Sequence, residues 1–383
     1  LATPLGVERL ALDLAWTRIL AAPVVARRAT PEAAVSAMDG YAVRDADLAS
    51  GETRLRLVGE AFAGSAGGGP ALVPGACVRI FTGAPLPPGA DRVVMQEIVR
   101  RDGDCVLLAE RPPAARHVRA AGSDFAAGEV LLDAGTELTP QALVAAAAAD
   151  LDSVEVYRRP RVAVLSTGDE LVAPGAPGHT PGTIPESVSF GVAALVRAWG
   201  GEVVCRQRLR DDLPSLVYAA GVALDGADVV VVTGGASVGE RDYSKAMFQA
   251  LGLQFEFEKV AIKPGKPVWV GRVGERIVVG LPGNPSAAMV TARLFLAPIL
   301  AGLSGRRPED ALAWRAAPLL TPLAACGDRE CFHRGHTAAD GVRPVGNQDS
   351  SAQKDLAMAD LLIRRPPGAR RLSVGDLVEV LAF

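Results

Sequence analysis

The pattern of apolar and polar positions changes character at Arg161. Beyond it, β-branched apolar runs alternate with amphipathic stretches: VAVLS (162–166), a helix ending at Gly200, EVVC (202–205), a helix near Leu216, VVVV (229–232), and a helix over 243–251. That alternation predicts βαβ units on a parallel sheet, in which ligands gather at the carboxyl ends of the strands, here after Ser166 and Val232. Before Arg161 the pattern is different. Apolar side chains at helical spacing (Val7, Leu10, Leu14, Ile19) predict an amphipathic helix within Leu1 to Ala22. Between Ser50 and Arg119 short runs such as 77–81 and 92–95, punctuated by Gly and Pro, predict a small β domain. The Ala-rich segment 141–149 predicts a second helix that packs on the first, since neither buries its apolar face alone. Gly67 to Gly69 reads as a flexible surface loop. After Gly305 the helical rhythm stops, and short strand-like pieces ending in DLVEVLAF predict a C-terminal β domain.

Length adds that one core does not account for the chain: 383 residues imply two or more domains. A hydrophobic fraction of 49% with 22% charged residues is that of a folded globular chain. The net charge of -3 supplies no general positive field for nucleic acid or an anionic membrane, so any anion site is local. Apolar stretches are broken by Gly, Pro or charge before the roughly 20 residues a membrane span needs. Glu8, Arg9, Asp13 and Arg18 interrupt any signal-peptide core. Five cysteines, an odd number without a Cys-x-x-Cys pair, point to the cytosol.

Chemistry enters at the strand ends. Thr233-Gly-Gly-Ala-Ser-Val-Gly239 follows the buried strand 228–232, and its glycines let backbone N–H groups approach a phosphate at a helix start. A tight turn needing positive φ explains such a Gly pair equally well. Glu240 and Asp242 follow at once, and a second strand end supplies Ser166-Thr-Gly-Asp-Glu170, so that carboxylates of the kind that hold Mg2+ lie beside the loop. Asp169 reads alternatively as a helix cap and Glu240 as a solvated charge. Lys263-Pro-Gly-Lys-Pro267 and Leu281-Pro-Gly-Asn-Pro285 are stiff loops, the first holding two cations as an oxyanion pocket would need; each alone also reads as an ordinary Pro-Gly turn. Asp39, in Ser36-Ala-Met-Asp-Gly-Tyr-Ala42, reads as a turn residue, and Thr82 opens a constrained loop to Gly89.

Taken in order, SAMDGYAVR (36–44), RIFTGAPLPPGAD (79–91), RPRVAVLSTGDEL (159–171), TGGASVGERDY (233–243), IKPGKP (262–267) and GLPGNP (280–285) resemble the molybdopterin molybdenumtransferases, known as MoeA and the gephyrin E domain. The resemblance covers nearly the whole chain. It implies an elongated α/β multidomain subunit: a discontinuous helical linker domain (1–27 and 121–158), a β-rich domain (28–120), a molybdopterin-binding α/β domain with a mostly parallel sheet (159–304), and a C-terminal β-barrel-like domain (305–383). It further implies a cytoplasmic homodimer with the active site shared between subunits, which accounts for Asp39 and Thr82. The implied reaction is Mg2+-dependent: adenylylated molybdopterin binds, AMP leaves, and the dithiolene captures molybdenum from molybdate.

By motif, the resemblance makes Asp242 and Glu170 the acidic pair that organises Mg2+, with Asp212 a further catalytic candidate. Lys263 and Lys266 become the molybdate lysines, with Pro282, Pro285, Ser286, Arg334 and Ser350 around them. Asp39, Thr82, Thr167, Gly168, Gly234, Gly235, Ser237 and Gly239 become pterin- and phosphate-binding positions. Expected partners are the molybdopterin adenylyltransferase and molybdoenzyme acceptors, with no nucleic acid and no membrane. Five positions differ from the family pattern: Glu186 and Val188 where Asp-Ser-Asn is usual, His117 for an asparagine, Ala287 for a serine after the PGNP turn, and Asp349 for a glycine. Alternative functions are a molybdopterin adenylyltransferase, a non-catalytic scaffold, and an enzyme handling tungstate.

Overall fold

The computed structural model describes residues 2–48, 51–177, 180–234 and 243–383, which fall into two compact units. Gly235, Ser237, Gly239, Glu240 and Asp242 lie outside the described residues.

The smaller unit, Arg9–Trp16 with Ala22–Val154, is built on one sheet. Its strands are β1 (Gly40–Val43), β2 (Thr53–Ala61), β3 (Ala76–Ile80), β4 (Arg92–Met95), β5 (Arg100–Asp102) and β6 (Cys105–Leu108), in the order β4-β1-β3-β2-β6-β5. Period-two alternation divides their side chains between two apolar clusters, because successive residues of a strand face opposite ways. Tyr41, Val43, Cys77 and Val94 enter one cluster; Ala42, Ala76, Val78 and Val93 enter the other. The β3 and β4 stretches are those expected from the apolar runs.

Helix α1 (Pro140–Ala148) begins on Thr139, whose hydroxyl accepts from the Ala142 N–H at 3.2 Å, with Pro140 preset for the first turn. Its expected helical partner is absent. Val7–Ala11 is a strand and Leu12–Leu14 a single 3-10 turn, tied down by the Leu12 N–H on the Asp152 carbonyl and by Arg9 on Ser153. The helical spacing misled because Val7 and Leu14 are 55% and 68% exposed, so they form no buried stripe with Ile19. α1 packs instead on the 130–132 strand and the 12–14 turn. Gly68 also departs from expectation: it is buried, not part of a free loop, with the backbone of Pro85 and Leu86 within 2.7 Å of where a Cβ would stand.

The larger unit, Leu1–Glu8, Thr17–Ala21 and Glu155–Phe383, holds two six-stranded sheets. The first follows the expected βαβ rhythm. Its elements are β7 (Arg161–Thr167), α2 (Val188–Ala198), β8 (Glu202–Leu209), α3 (Leu213–Gly226), β9 (Val229–Thr233), α4 (Tyr243–Gln249), β10 (Gln254–Phe257), β12 (Trp269–Val273) and β13 (Arg276–Leu281), with β11 (Ile262–Lys263) leaving for the second sheet. Strand order is β8-β7-β9-β13-β12-β10, the first four parallel. Both faces are covered, which is why these strands read as unbroken apolar runs. Val162, Val164, Val229 and Val231 pack on the α2 side; Ala163, Leu165, Val230 and Val232 pack under α3 and α4.

After β13 comes a continuous helical run, α5 (Pro285–Thr291), a π turn, then α6 (Ala297–Leu303). Pro285–Leu303 has the length and apolarity of a membrane span, but 78% of it is buried in the larger unit, so it is a core helix. The second sheet comprises β14 (Arg315–Pro318), β15 (Glu330–Ala338), β16 (Gly341–Pro344), β17 (Leu361–Arg365) and β18 (Leu377–Ala382) in the order β11-β15-β17-β18-β14, with β16 on β15. It is fastened to the helical run by Arg293, which donates to the carbonyls of Ala382 (2.7 Å) and Ala311 (2.6 Å).

At the opposite edge of the parallel sheet, Asp228 is 7% exposed. It accepts from Arg158 (2.8 and 3.0 Å), Arg276 (3.2 Å) and the Arg161 N–H (2.8 Å). Burial pushes its carboxyl up, but the Arg158 and Arg161 hydrogen bonds and the two guanidinium charges together hold it below the usual range. A depressed folded pKa gives stability that is present above the ordinary carboxylate range and lost as pH falls through it. Asp228→Ala should cost about 2–4 kcal/mol at neutral pH, because it strands partly buried guanidinium groups. Thermal melts check this: a drop of several degrees that narrows on acidification is expected, and an unchanged melt contradicts it.

Candidate active site

Three neighbouring parallel strands end together. Ser166 of β7 pairs with Thr233 of β9, and Thr233 pairs with Leu281 of β13, so the turns that follow all emerge at one carboxyl edge. They touch through glycines. A Cβ on Gly234 (φ +94°) would stand 2.2 Å from the Thr167 carbonyl oxygen, and one on Gly283 would stand 3.3 Å from the Gly234 Cα. The glycines at 234 and 283 are therefore required by close backbone approach, which leaves main-chain groups accessible to a ligand. Gly234→Ala meets backbone and a left-handed conformation at once. It should lower catalysis at least tenfold and stability by about 1–3 kcal/mol; a variant with wild-type rate and melt would contradict this packing.

Glu170 curls back over the first turn, its carboxylate 2.6 Å from where a Gly168 Cβ would be, and it is exposed. The Thr167 hydroxyl is buried and has no hydrogen-bond partner among the described residues. A hard carboxylate and an unclaimed hydroxyl at one strand end are donors of the type Mg2+ takes, so the described residues fit that ion. Asp169 accepts from the Asp211 N–H (3.3 Å). Asp212 caps α3: it accepts from the Ser215 N–H at 3.1 Å, and the Ser215 hydrogen bonds hold its carboxyl below the usual range. That is a structural role.

Beneath the turns runs a buried polar chain not read from the sequence. The Thr233 hydroxyl donates to Ser166 (3.1 Å), Ser166 to Glu186 (3.3 Å), and Glu186 accepts from the Ser189 N–H (2.7 Å) and hydroxyl (2.6 Å). Glu186 thus fastens the start of α2 to the ends of β7 and β9. Val188, two residues on, belongs to the apolar core. These departures from the family pattern have structural partners of their own.

The lysine-bearing loop and the PGNP turn both bear on α5, the first at Thr291 and the second at its start, Pro285. Gly265 (φ +110°) seats the 263–267 loop on α5, its hypothetical Cβ 2.2 Å from the Thr291 methyl group. Lys263 and Lys266 are both exposed. Asn284 donates to the Ser350 hydroxyl (3.0 Å), the Ser286 N–H to the Ser350 carbonyl (2.9 Å), and the Ser286 hydroxyl to the Ala352 carbonyl (2.9 Å). Pro282 and Pro285 bracket this turn. Arg334 is fully buried and donates to the Asn347 and Asp349 carbonyls (3.0 Å each). It holds the loop that carries Ser350. Asp349 accepts from the Ser351 N–H (2.8 Å) and hydroxyl (2.7 Å), contacts that hold its carboxyl below the usual range. Ala287 is buried in α5, and its carbonyl accepts from Thr291.

In the smaller unit, the two upstream motifs meet. Asp39 accepts from the Thr82 N–H and hydroxyl, both at 2.8 Å, and these bonds, with Arg79, hold its carboxyl below the usual range. Ser36 and Gly83–Ala84 exchange backbone bonds, and His117, at φ 51°, receives the Ala37 N–H on its carbonyl. Arg79 lies 5.0 Å from the Tyr41 and Phe81 rings, and Phe62 stacks on Phe81 at 4.8 Å. Sequence reading missed these rings, although Arg79 and Phe81 alternate about β3 in a motif it had singled out.

Comparison with known proteins places the chain by family and fold. Residues 1–149 match the MoeA N-terminal region (domain I and II), 163–302 a probable molybdopterin binding domain, and 316–383 the MoeA C-terminal region (domain IV). The molybdopterin molybdenumtransferase of Haemophilus influenzae is 38% identical over 393 residues, covering 99% of this chain and 95% of that protein. Its counterpart in a Nostoc species is 36% identical over 378 residues, covering 95% and 86%. The crystal structure of the molybdopterin biosynthesis moeA protein of Pyrococcus horikoshii superposes with a TM-score of 0.85 at 25% identity, covering 100% of this chain and 96% of that one.

Proposed function

Because this chain belongs to the molybdopterin molybdenumtransferase family, we propose that its strand-end turns and lysine loop bind adenylylated molybdopterin and molybdate, and that AMP leaves as molybdenum is inserted. The observation that carries this reading is the contact of the three turns after β7, β9 and β13, with Glu170 over the first. Main-chain N–H groups at glycine turns suit a diphosphate, and a helix start adds a favourable field. Two exposed ammonium groups on a loop fixed against α5 suit a tetrahedral dianion, through charge-assisted hydrogen bonds. Ser350, held beside the PGNP turn by Asn284 and by the buried Ser286, adds a neutral hydroxyl donor, whereas the Ser286 N–H and hydroxyl are already committed to the Ser350 and Ala352 carbonyls and support the turn. Mg2+, when bound, would neutralise the leaving phosphate; Glu170 and Asp242, with Thr167, are the residues that would hold it.

We further infer a homodimer in which the partner subunit supplies the Asp39–Thr82 surface, and a cytoplasmic enzyme that receives its pterin from an adenylyltransferase and passes product to molybdoenzymes. The adenylyltransferase alternative uses the parallel-sheet domain alone. Full-length relatedness to molybdenumtransferases and the second sheet that braces the lysine loop favour metal insertion. The test is incubation of the chain with adenylylated molybdopterin and Mg2+, with molybdate, tungstate or neither. Release of AMP that depends on oxyanion supports the reading, and a preference between anions settles the tungstate alternative. Absence of release with both anions supports the scaffold. Formation of adenylylated product from ATP and molybdopterin would support the adenylyltransferase.

A further inference from the structure

Outside these turns, three soft donors converge. Cys331 and His333 are two apart on β15 and therefore face the same side of the sheet. Cys326 arrives from the preceding loop, and the Cys331 thiol, the Cys326 thiol and a His333 ring nitrogen all lie within 4.8 Å of one another. The loop is braced. The Cys326 N–H donates to the Ala369 carbonyl (2.8 Å), the Gly368 N–H to the Gly327 carbonyl (2.7 Å), and buried Arg365 to the Ala324 carbonyl (3.2 Å). In a tetrahedral site with metal–sulfur bonds of about 2.3 Å and metal–nitrogen bonds of about 2.0 Å, donors stand roughly 3.4–3.8 Å apart. From 4.8 Å, closing by at most about 1–1.4 Å is needed, which is within reach of side-chain rotation.

The surroundings select the ion. The trio has no carboxylate, so hard cations gain little, whereas two thiolates and an imidazole suit a thiophilic one. Lys263, Arg329, Arg334 and Arg365 bear on this cluster. The ion itself must draw off the thiol protons, and a dication with two thiolates and a neutral imidazole has no net charge to set against these cations.

We propose that Cys326, Cys331 and His333 form a binding site for a thiophilic divalent cation of the Zn2+ class, with three protein donors and an open fourth position. Binding displaces one proton from each thiol to solvent and forms two metal–sulfur bonds and one metal–nitrogen bond, with no change of oxidation state. The site abuts the lysine loop, because Cys331 pairs in register with Lys263 across β11 and β15. A bound ion would clamp the 326 loop to the strand that supports Lys263.

The probe is Co2+, which reports thiolate ligation by charge-transfer absorption and tetrahedral geometry by its ligand-field bands. Full-length, reduced, chelator-treated chain should bind one Co2+ with both signatures, in the absence of pterin and molybdate, and one equivalent of Zn2+ should erase them. Cys326→Ser, Cys331→Ser and His333→Gln should each weaken Co2+ binding at least tenfold, whereas Cys205→Ser should not. Melts of the metal-free variants that match the parent show that folding is intact; if one serine variant unfolds, the others carry the test. Lack of the charge-transfer band in the reduced parent overturns the proposal. So does a band that survives in the Cys326→Ser, Cys331→Ser double variant, or reduced chain that binds no cobalt while oxidised chain joins Cys326 to Cys331 as a disulfide. Since no substrate is present, failure here is separate from failure of the transferase reading.

Discussion

Asp242→Ala should slow AMP release from adenylylated molybdopterin by about 10²–10³-fold while leaving the thermal melt within a degree or so of the parent. That magnitude is typical of losing one preorganised electrostatic contact to charge developing at a reacting centre. Asp242 follows the glycine loop after β9, in the motif TGGASVGERDY that it shares with the family. Glu170, on the neighbouring turn, should give a comparable loss as Glu170→Gln, which removes the charge and keeps the shape. Its carboxylate sits over Gly168, where it makes none of the contacts that a folding role would require among the described side-chain hydrogen bonds. A rate of AMP release unchanged in both variants would remove the acidic pair from the mechanism.

Lys263→Ala combined with Lys266→Ala should weaken molybdate binding by at least about 100-fold. Each lysine offers a charge-assisted hydrogen bond, of the order of 1.5–3 kcal/mol when it meets an anion. Both side chains are exposed, and the loop is held by Gly265 on Thr291 and not by the ammonium groups, so the double variant should fold normally. Calorimetric titration with molybdate measures the effect. Equal affinity in the variant and the parent would mean that the anion binds elsewhere.

The parallel sheet and the edge at which its strand-end turns gather were legible because both faces are buried and the strand–turn–helix punctuation is strong. Four apolar β-branched residues at 229–232, bounded by Asp228 and the glycine loop, permit little else. The resemblance singled out Asp39 and Thr82, but nothing in the sequence foretold that they bond to each other. Forty-three residues separate them, and no local periodicity announces a bond between two turns. The N-terminal helix failed for a related reason: Val7, Leu10 and Leu14 have helical spacing, yet the segment is extended and its alternation is that of a strand.

Polar side chains whose partners are distant were the least readable. Glu186 looked like a departure from the family pattern, and in the fold it joins Ser166 to Ser189 under the strand ends. Arg334, expected at the oxyanion, is fully buried and holds the loop of Ser350. Asp212, expected near the chemistry, caps a helix. In each case residue type was informative and the direction of the side chain was not, since direction depends on contacts made across the sheet.

Molybdenum-edge anomalous diffraction from crystals grown with molybdate tests the central claim most directly. A single strong anomalous peak within hydrogen-bonding reach of the Lys263 and Lys266 ammonium groups, on the side of the PGNP turn and Ser350, is the predicted result. A peak held by other residues, with both lysines free in solvent, would contradict it.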